Sequence, residues 1–177
     1  NMTLEMLMER YIKLKSPEVR ETTRNGYRTC LKLAEKDKFC KRKIKTITEE
    51  DIILWFDELH EKQGKGYSSL HTLKGVLRPA FTLAKKNRWI FDNPCNFSLN
   101  KKRYGGTVTR EALTGDEMRR YLDFLRTDRH FNKYFDGVYI LFNTGLRISE
   151  FCGLTVDDID FKEHVIHVKR QLIRLHD

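Results

Sequence analysis

Proline occurs only 3 times in 177 residues and glycine 10 times, too sparsely for a low-complexity, collagen-like or disordered chain. No apolar run approaches the roughly 18 residues that a membrane span needs. The first 30 residues lack the basic, then apolar, then small-residue order of a signal peptide. The four cysteines, Cys30, Cys40, Cys95 and Cys152, form no close pair, which argues against a zinc knuckle or disulfide framework and for a reducing compartment. No cofactor and no metal is expected.

What is present is positive charge, and it is unevenly spread. Residues 1–103 carry 23 Lys and Arg against 13 Asp and Glu, whereas residues 104–177 carry 11 against 12. A polyanion is the expected partner of the first part. Nucleic acid suits it better than an anionic membrane, because no helix pairs a basic face with the exposed Trp and Phe face of an interfacial anchor.

Apolar spacing predicts a helix over 3–15, with Leu4, Leu7, Met8 and Tyr11 on one stripe. A second is expected over 17–36, with Ser16 as N-cap and Pro17 at the first helical position. Its polar side carries Arg20, Arg24, Arg28 and Lys32 at four-residue steps, a ridge of like charge. By itself such a run can be a solvated helix face. After the basic loop Lys41–Lys45, Thr48 with Asp51 spells a capping box and opens a third helix. A fourth, over 68–86, buries Leu70, Leu73, Leu77 and Phe81, presents His71, Lys74 and Arg78 elsewhere, and should kink at Pro79. Trp55, Trp89 and Phe91 are read as core.

The polar, glycine-containing stretch around 99–107 reads as part of an interdomain linker. Beyond it Thr114 with Glu117 spells a second capping box, further helices are expected over 132–144 and 148–154, and Val165–Val168 reads as the first strand of a sheet.

The segment Asn143-Thr-Gly-Leu-Arg147-Ile-Ser-Glu150-Phe-Cys-Gly-Leu-Thr155, followed by Val-Asp-Asp-Ile-Asp160, resembles the tyrosine recombinase (phage integrase) family. The string Glu-Phe-Cys-Gly-Leu-Thr with the later Asp-Ile-Asp-Phe is most similar to the integrases of conjugative transposons. The resemblance implies a mainly α chain: a four-helix, SAM-like core-binding domain over 1–98, a linker over 99–111, and over 112–177 the opening helices and first strand of the mixed α/β catalytic domain. It also implies site-specific DNA recombination, the integration or excision of a mobile element through a 3′-phosphotyrosine link.

In such a protein Arg147 clamps nonbridging oxygens of the phosphate under attack, a task suited to a planar, always-charged fork, and Glu150 supports it. Gly145 permits the turn that aims Arg147. Lys169 is a candidate for the family's β-turn lysine, although its place near the end of a strand suits that role poorly. The resemblance reverses the reading of the ridge: Arg20, Arg24, Arg28 and Lys32, with Ser68, Ser69, His71, Lys74 and Arg78, become the expected contacts to double-stranded DNA.

The family's tyrosine nucleophile has no counterpart, since no tyrosine follows Tyr139, and His167-Val-Lys-Arg170 comes too soon after Arg147 to be the family's later His-x-x-Arg. These 177 residues are therefore expected to be a fragment cut at both ends, inactive alone, from a bacterial cytoplasmic, nucleoid-associated protein acting as a tetramer on two DNA sites. The alternative reading is a non-catalytic, sequence-specific DNA-binding or regulatory protein. For Arg147 the plainer alternative is an ordinary intrahelical ion pair with Glu150.

Overall fold

The computed structural model describes residues 2–106 and 110–173, and the chain divides into two compact units, Asn1–Thr109 and Arg110–Asp177. In the first unit α1 (Leu4–Lys15) starts where the Thr3 hydroxyl accepts the Met6 amide, and its predicted apolar stripe is buried.

The second helix, α2 (Glu21–Lys36), begins later than the Ser-Pro-Glu signal suggested. Ser16–Glu18 forms a separate 3-10 turn, Val19 is extended (φ −118°, ψ 155°), and Arg20 is the N-cap. The Ser16 hydroxyl donates back to the Ile12 carbonyl at 2.7 Å, so it serves the end of α1 instead of capping α2.

α3 (Glu49–Gln63) opens on the expected Thr48–Asp51 capping box. α4 (Tyr67–Lys86) runs unbroken through Pro79. The basic loop before α3 is part of the scaffold: Lys41 pairs with Glu5, Arg42 with Asp51, and Lys43 bridges to Thr3.

α1 packs against both α2 and α4, and the four helices share one core in which Leu7, Ile52, Phe56, Leu77 and Phe81 are fully buried. Each such side chain contributes roughly 1.5–3 kcal/mol relative to remaining in water. Trp55 lies in this core and Trp89 at its edge, beneath the Arg10 guanidinium at 4.9 Å.

Phe91 departs from expectation and is 97% exposed. The chain after α4 turns back through Arg88 at φ 59°. The inward positions then go to Asn93, whose amide donates to the Arg78 carbonyl and the Thr82 hydroxyl, and to Cys95.

The segment expected to begin a linker instead finishes this unit. Tyr104 is 2% exposed, and its hydroxyl donates to Asp57 at 3.0 Å beside the Arg103–Asp57 ion pair. The Tyr104 carbonyl accepts the Tyr67 amide, which Gly66, an N-cap without a side chain, leaves unsatisfied. The first unit thus extends past the expected end at residue 98.

In the second unit α5 (Gly115–Thr127) opens on the Thr114–Glu117 capping box and packs against α6 (Phe135–Thr144). A one-turn α7 (Ile148–Phe151) and an antiparallel pair follow, β1 (Ile159–Asp160) and β2 (Val165–Ile166), with Ile159 opposite Ile166. The strand expected first is therefore the second, and it is shorter than predicted. The Asp160 carboxylate accepts the Lys162 and Glu163 amides and closes the hairpin, in whose turn His164 takes φ 55°.

Candidate functional site

α6 ends on Gly145 at φ 67°, ψ 12°, a conformation that costs a residue with a Cβ about 1 kcal/mol or more. Two residues later Arg147 is the extended N-cap of α7. One oxygen of Glu150 accepts the Arg147 backbone N–H and the other accepts its Nη1, both at 2.9 Å. These donors hold the Glu150 carboxyl below the usual carboxylate range, the backbone N–H most strongly.

The Arg147 side chain is 80% exposed while Glu150 is largely covered. The structure thus contains the ordinary ion pair, and it leaves the rest of the guanidinium exposed. Glu150 takes one end of the guanidinium, and Nε and Nη2, which meet no acceptor among the described residues, remain free for two oxygens of an anion.

The nine expected DNA contacts fall into separate places. Lys32, Ser68 and Ser69 line a groove of about 470 Å³ between α2 and α4 over Leu33 and Leu70. Lys36 and Lys65 also line it. Lys36 is one more four-residue step along the ridge and could have been read from the sequence; Lys65, between two glycines, carried no signal.

His71, Lys74 and Arg78 line a second groove of about 480 Å³ against residues 96–99. Lys74 is already engaged there, donating to the Phe97 carbonyl and lying 4.6 Å over its ring, and burial pushes its pKa down. Arg24 donates to the Ser16 carbonyl at 2.7 Å and pairs with Glu21, which also takes Arg28. Arg20 has no ion-pair partner among the described residues.

Lys169 follows β2 in irregular chain, 3.3 Å from Asp158. Asp158 is 1% exposed and also accepts Nη2 of Arg170, at 2.7 and 2.9 Å. The Thr155 amide and hydroxyl, then Arg170 and Lys169, keep its carboxyl far below the usual range. The charged side chains Lys169 and Arg170 therefore converge on one internal carboxylate.

Residues 111–175 match the phage integrase family, and residues 3–60 match the phage integrase N-terminal SAM-like domain. Over 158 residues the chain is 33% identical to the transposase from transposon Tn916 of Enterococcus faecalis, covering 89% of this chain and 39% of that protein. It is 27% identical over 137 residues to a XerC-like tyrosine recombinase of Caldanaerobacter subterraneus, covering 73% and 33%. The Tn1549 transposon integrase, solved in complex with circular intermediate DNA, superposes at a TM-score of 0.91 with 30% identity, covering 99% of this chain and 56% of that one. The chain thus spans well under two thirds of the relatives it matches.

Proposed function

The chain belongs to the phage integrase family, and on that premise we propose that it serves the site-specific recombination of a mobile DNA element: its first unit grips duplex DNA, and its second presents the first arginine of the catalytic centre. The observation that carries this reading is Arg147, set in Thr-Gly-Leu-Arg-Ile-Ser-Glu, braced at one end by Glu150 and open at the other.

The chemistry follows from that geometry. Attack on a phosphodiester builds negative charge on its nonbridging oxygens, and a guanidinium already fixed by Glu150 stabilises that charge with little reorganisation. Glu150 itself faces no phosphate; it orients. The grip is a different kind of interaction. Arg20, Lys32, Lys36 and Lys65, the hydroxyls of Ser68 and Ser69, and His71 and Arg78 supply spread contacts to the duplex backbone, each modest and each sensitive to salt. Arg24 and Arg28 take part by exchanging Glu21 for phosphate, a small loss for exposed pairs.

Strand cleavage through a 3′-phosphotyrosine belongs in this proposal to the protein at its relatives' full length, as does assembly into a tetramer in the bacterial cytoplasm. Residues 1–177 should bind duplex DNA without forming a covalent adduct. A reading as a binding protein without catalysis gives Arg147 no purpose, because a pure binder gains nothing from bracing one arginine toward a single anion.

The test is Arg147→Lys in a protein of the relatives' full length carrying these residues, with duplex affinity and single-turnover cleavage measured on the same DNA. Lysine keeps the charge but loses the fork. Cleavage should slow by a factor on the order of 10² to 10³ with affinity nearly unchanged. Equal losses in both would make Arg147 a general anchor and overturn the assignment.

A further inference from the structure

α7 is a single turn of four residues, too short to persist on its own backbone hydrogen bonds. Two neighbours hold it. On one side the Phe151 ring faces α6 at Gly137, where an added Cβ would stand 3.6 Å from the ring edge, in ordinary contact. On the other the backbone of residues 170–172 runs alongside, with the Leu172 N–H donating to the Ser149 carbonyl at 2.8 Å.

That backbone passes so near Gly153 that a Cβ there would stand 3.0 Å from the Arg170 oxygen, 3.2 Å from Gln171 Cα and 3.3 Å from the Arg170 carbonyl carbon. All three are main-chain atoms, which cannot swing aside as a side-chain tip can. Among the described residues, no other glycine has the place of its missing side chain so tightly occupied. The approaching segment is fastened at its start, where Arg170 and Lys169 meet the buried Asp158.

We propose that Gly153 is a positioning residue for Arg147: by admitting the backbone of residues 170–172 against α7 it fixes Ser149 and Glu150, and Glu150 fixes the guanidinium. The proposal rests on the reading of Arg147 as the phosphate-holding group. It gives Lys169 and Arg170 a use that needs no contact with DNA, since through Asp158 they pin the buttress that keeps Arg147 aimed.

The experiment uses the 177-residue chain as it stands, with Gly153→Ala, Gly153→Val and Leu172→Pro, the last removing the N–H to Ser149 without adding bulk beside Gly153. Side-chain carboxyl titrations are followed by NMR. Glu150 and Glu117 both start below the ordinary carboxylate range, each held there by a capping interaction in the same unit. Displacing the buttress should return Glu150 toward the ordinary value, further for Val than for Ala, and also in Leu172→Pro, while Glu117 stays low. Should Val raise Glu117 as well, by melting the unit, the Ala and Leu172→Pro variants decide.

At the relatives' full length, Gly153→Ala should slow cleavage by about tenfold to a hundredfold at unchanged duplex affinity, the scale of effect that small misplacements of a catalytic group produce. A Glu150 midpoint unmoved in both Gly153→Ala and Leu172→Pro overturns the proposal. Because Arg147→Lys is read on cleavage and the buttress first on the Glu150 midpoint in the 177-residue chain, the two failures are told apart.

Discussion

The first unit buries 23 hydrophobic side chains in one continuous core, whereas in the second Leu125 is the one apolar side chain buried among the described residues. Ile148, Val156, Phe161 and Leu172 of the second unit stand more than half exposed. Among the described residues this unit also carries short polar closures: Glu117 on Thr114, Glu150 on Arg147, Asp158 on Thr155 and Arg170. Charge divides the same way, a basic first part against a nearly neutral second. A surface that grips a polyanion through many weak contacts needs a rigid base to space them. The turn that carries Arg147 is closed locally, by Glu150 on its N–H and guanidinium.

The sharpest way to break this contrast is to damage the core. Phe81→Ala removes a fully buried ring and should cost the first unit about 3–5 kcal/mol. Amide shifts of α5 and α6 should survive as those of α1–α4 are lost on heating. Joint melting of both sets would show that the units do not hold their order separately.

A smaller effect separates the two ways of holding a carboxylate. Asp51 is held at about 2, below its ordinary 3.8, first by the Arg42 guanidinium and then by the Thr48 amide. A depressed carboxylate stabilises the fold fully above its unfolded value, and that contribution fades as pH falls toward the folded one. Asp51→Asn should therefore cost roughly 1–2 kcal/mol near neutral pH. Its melting-temperature deficit relative to the parent chain should shrink between about pH 4 and pH 2. A deficit that stays constant through that window would mean that Asp51 acts through packing rather than charge.

The two capping boxes were legible because both partners lie within one turn, so Thr48 with Asp51 and Thr114 with Glu117 name their helix starts outright. The start of α2 was misplaced because Ser16-Pro17-Glu18 is an equally local signal that a 3-10 turn satisfies as well. Phe91 was misread because its side chain is apolar, while its exposure is decided by how Arg88 and Asn93 turn the chain. Asp57 meeting Tyr104, 47 residues on, leaves no pattern in a single sequence. The closeness of Gly153 to Arg170 is equally silent, since it depends on how a later segment folds back. The family string singled out Arg147 and Glu150 as candidates, and their spacing of three foretold the bond between them. The two grooves beside α4 could not be read, because each draws its lining from more than one segment.

The division between a gripping unit and an aimed arginine is tested most directly by the salt dependence of duplex binding, measured for the 177-residue chain, for Arg20→Gln/Lys32→Gln/Arg78→Gln together, and for Arg147→Lys. If about six phosphates are neutralised, the logarithm of affinity should fall against the logarithm of salt with a slope of about −5 for the parent. The triple variant should flatten that slope to about −3, while Arg147→Lys should leave it where it was. A triple variant with the parent's slope, or an Arg147→Lys slope as flat as the triple variant's, would contradict the account.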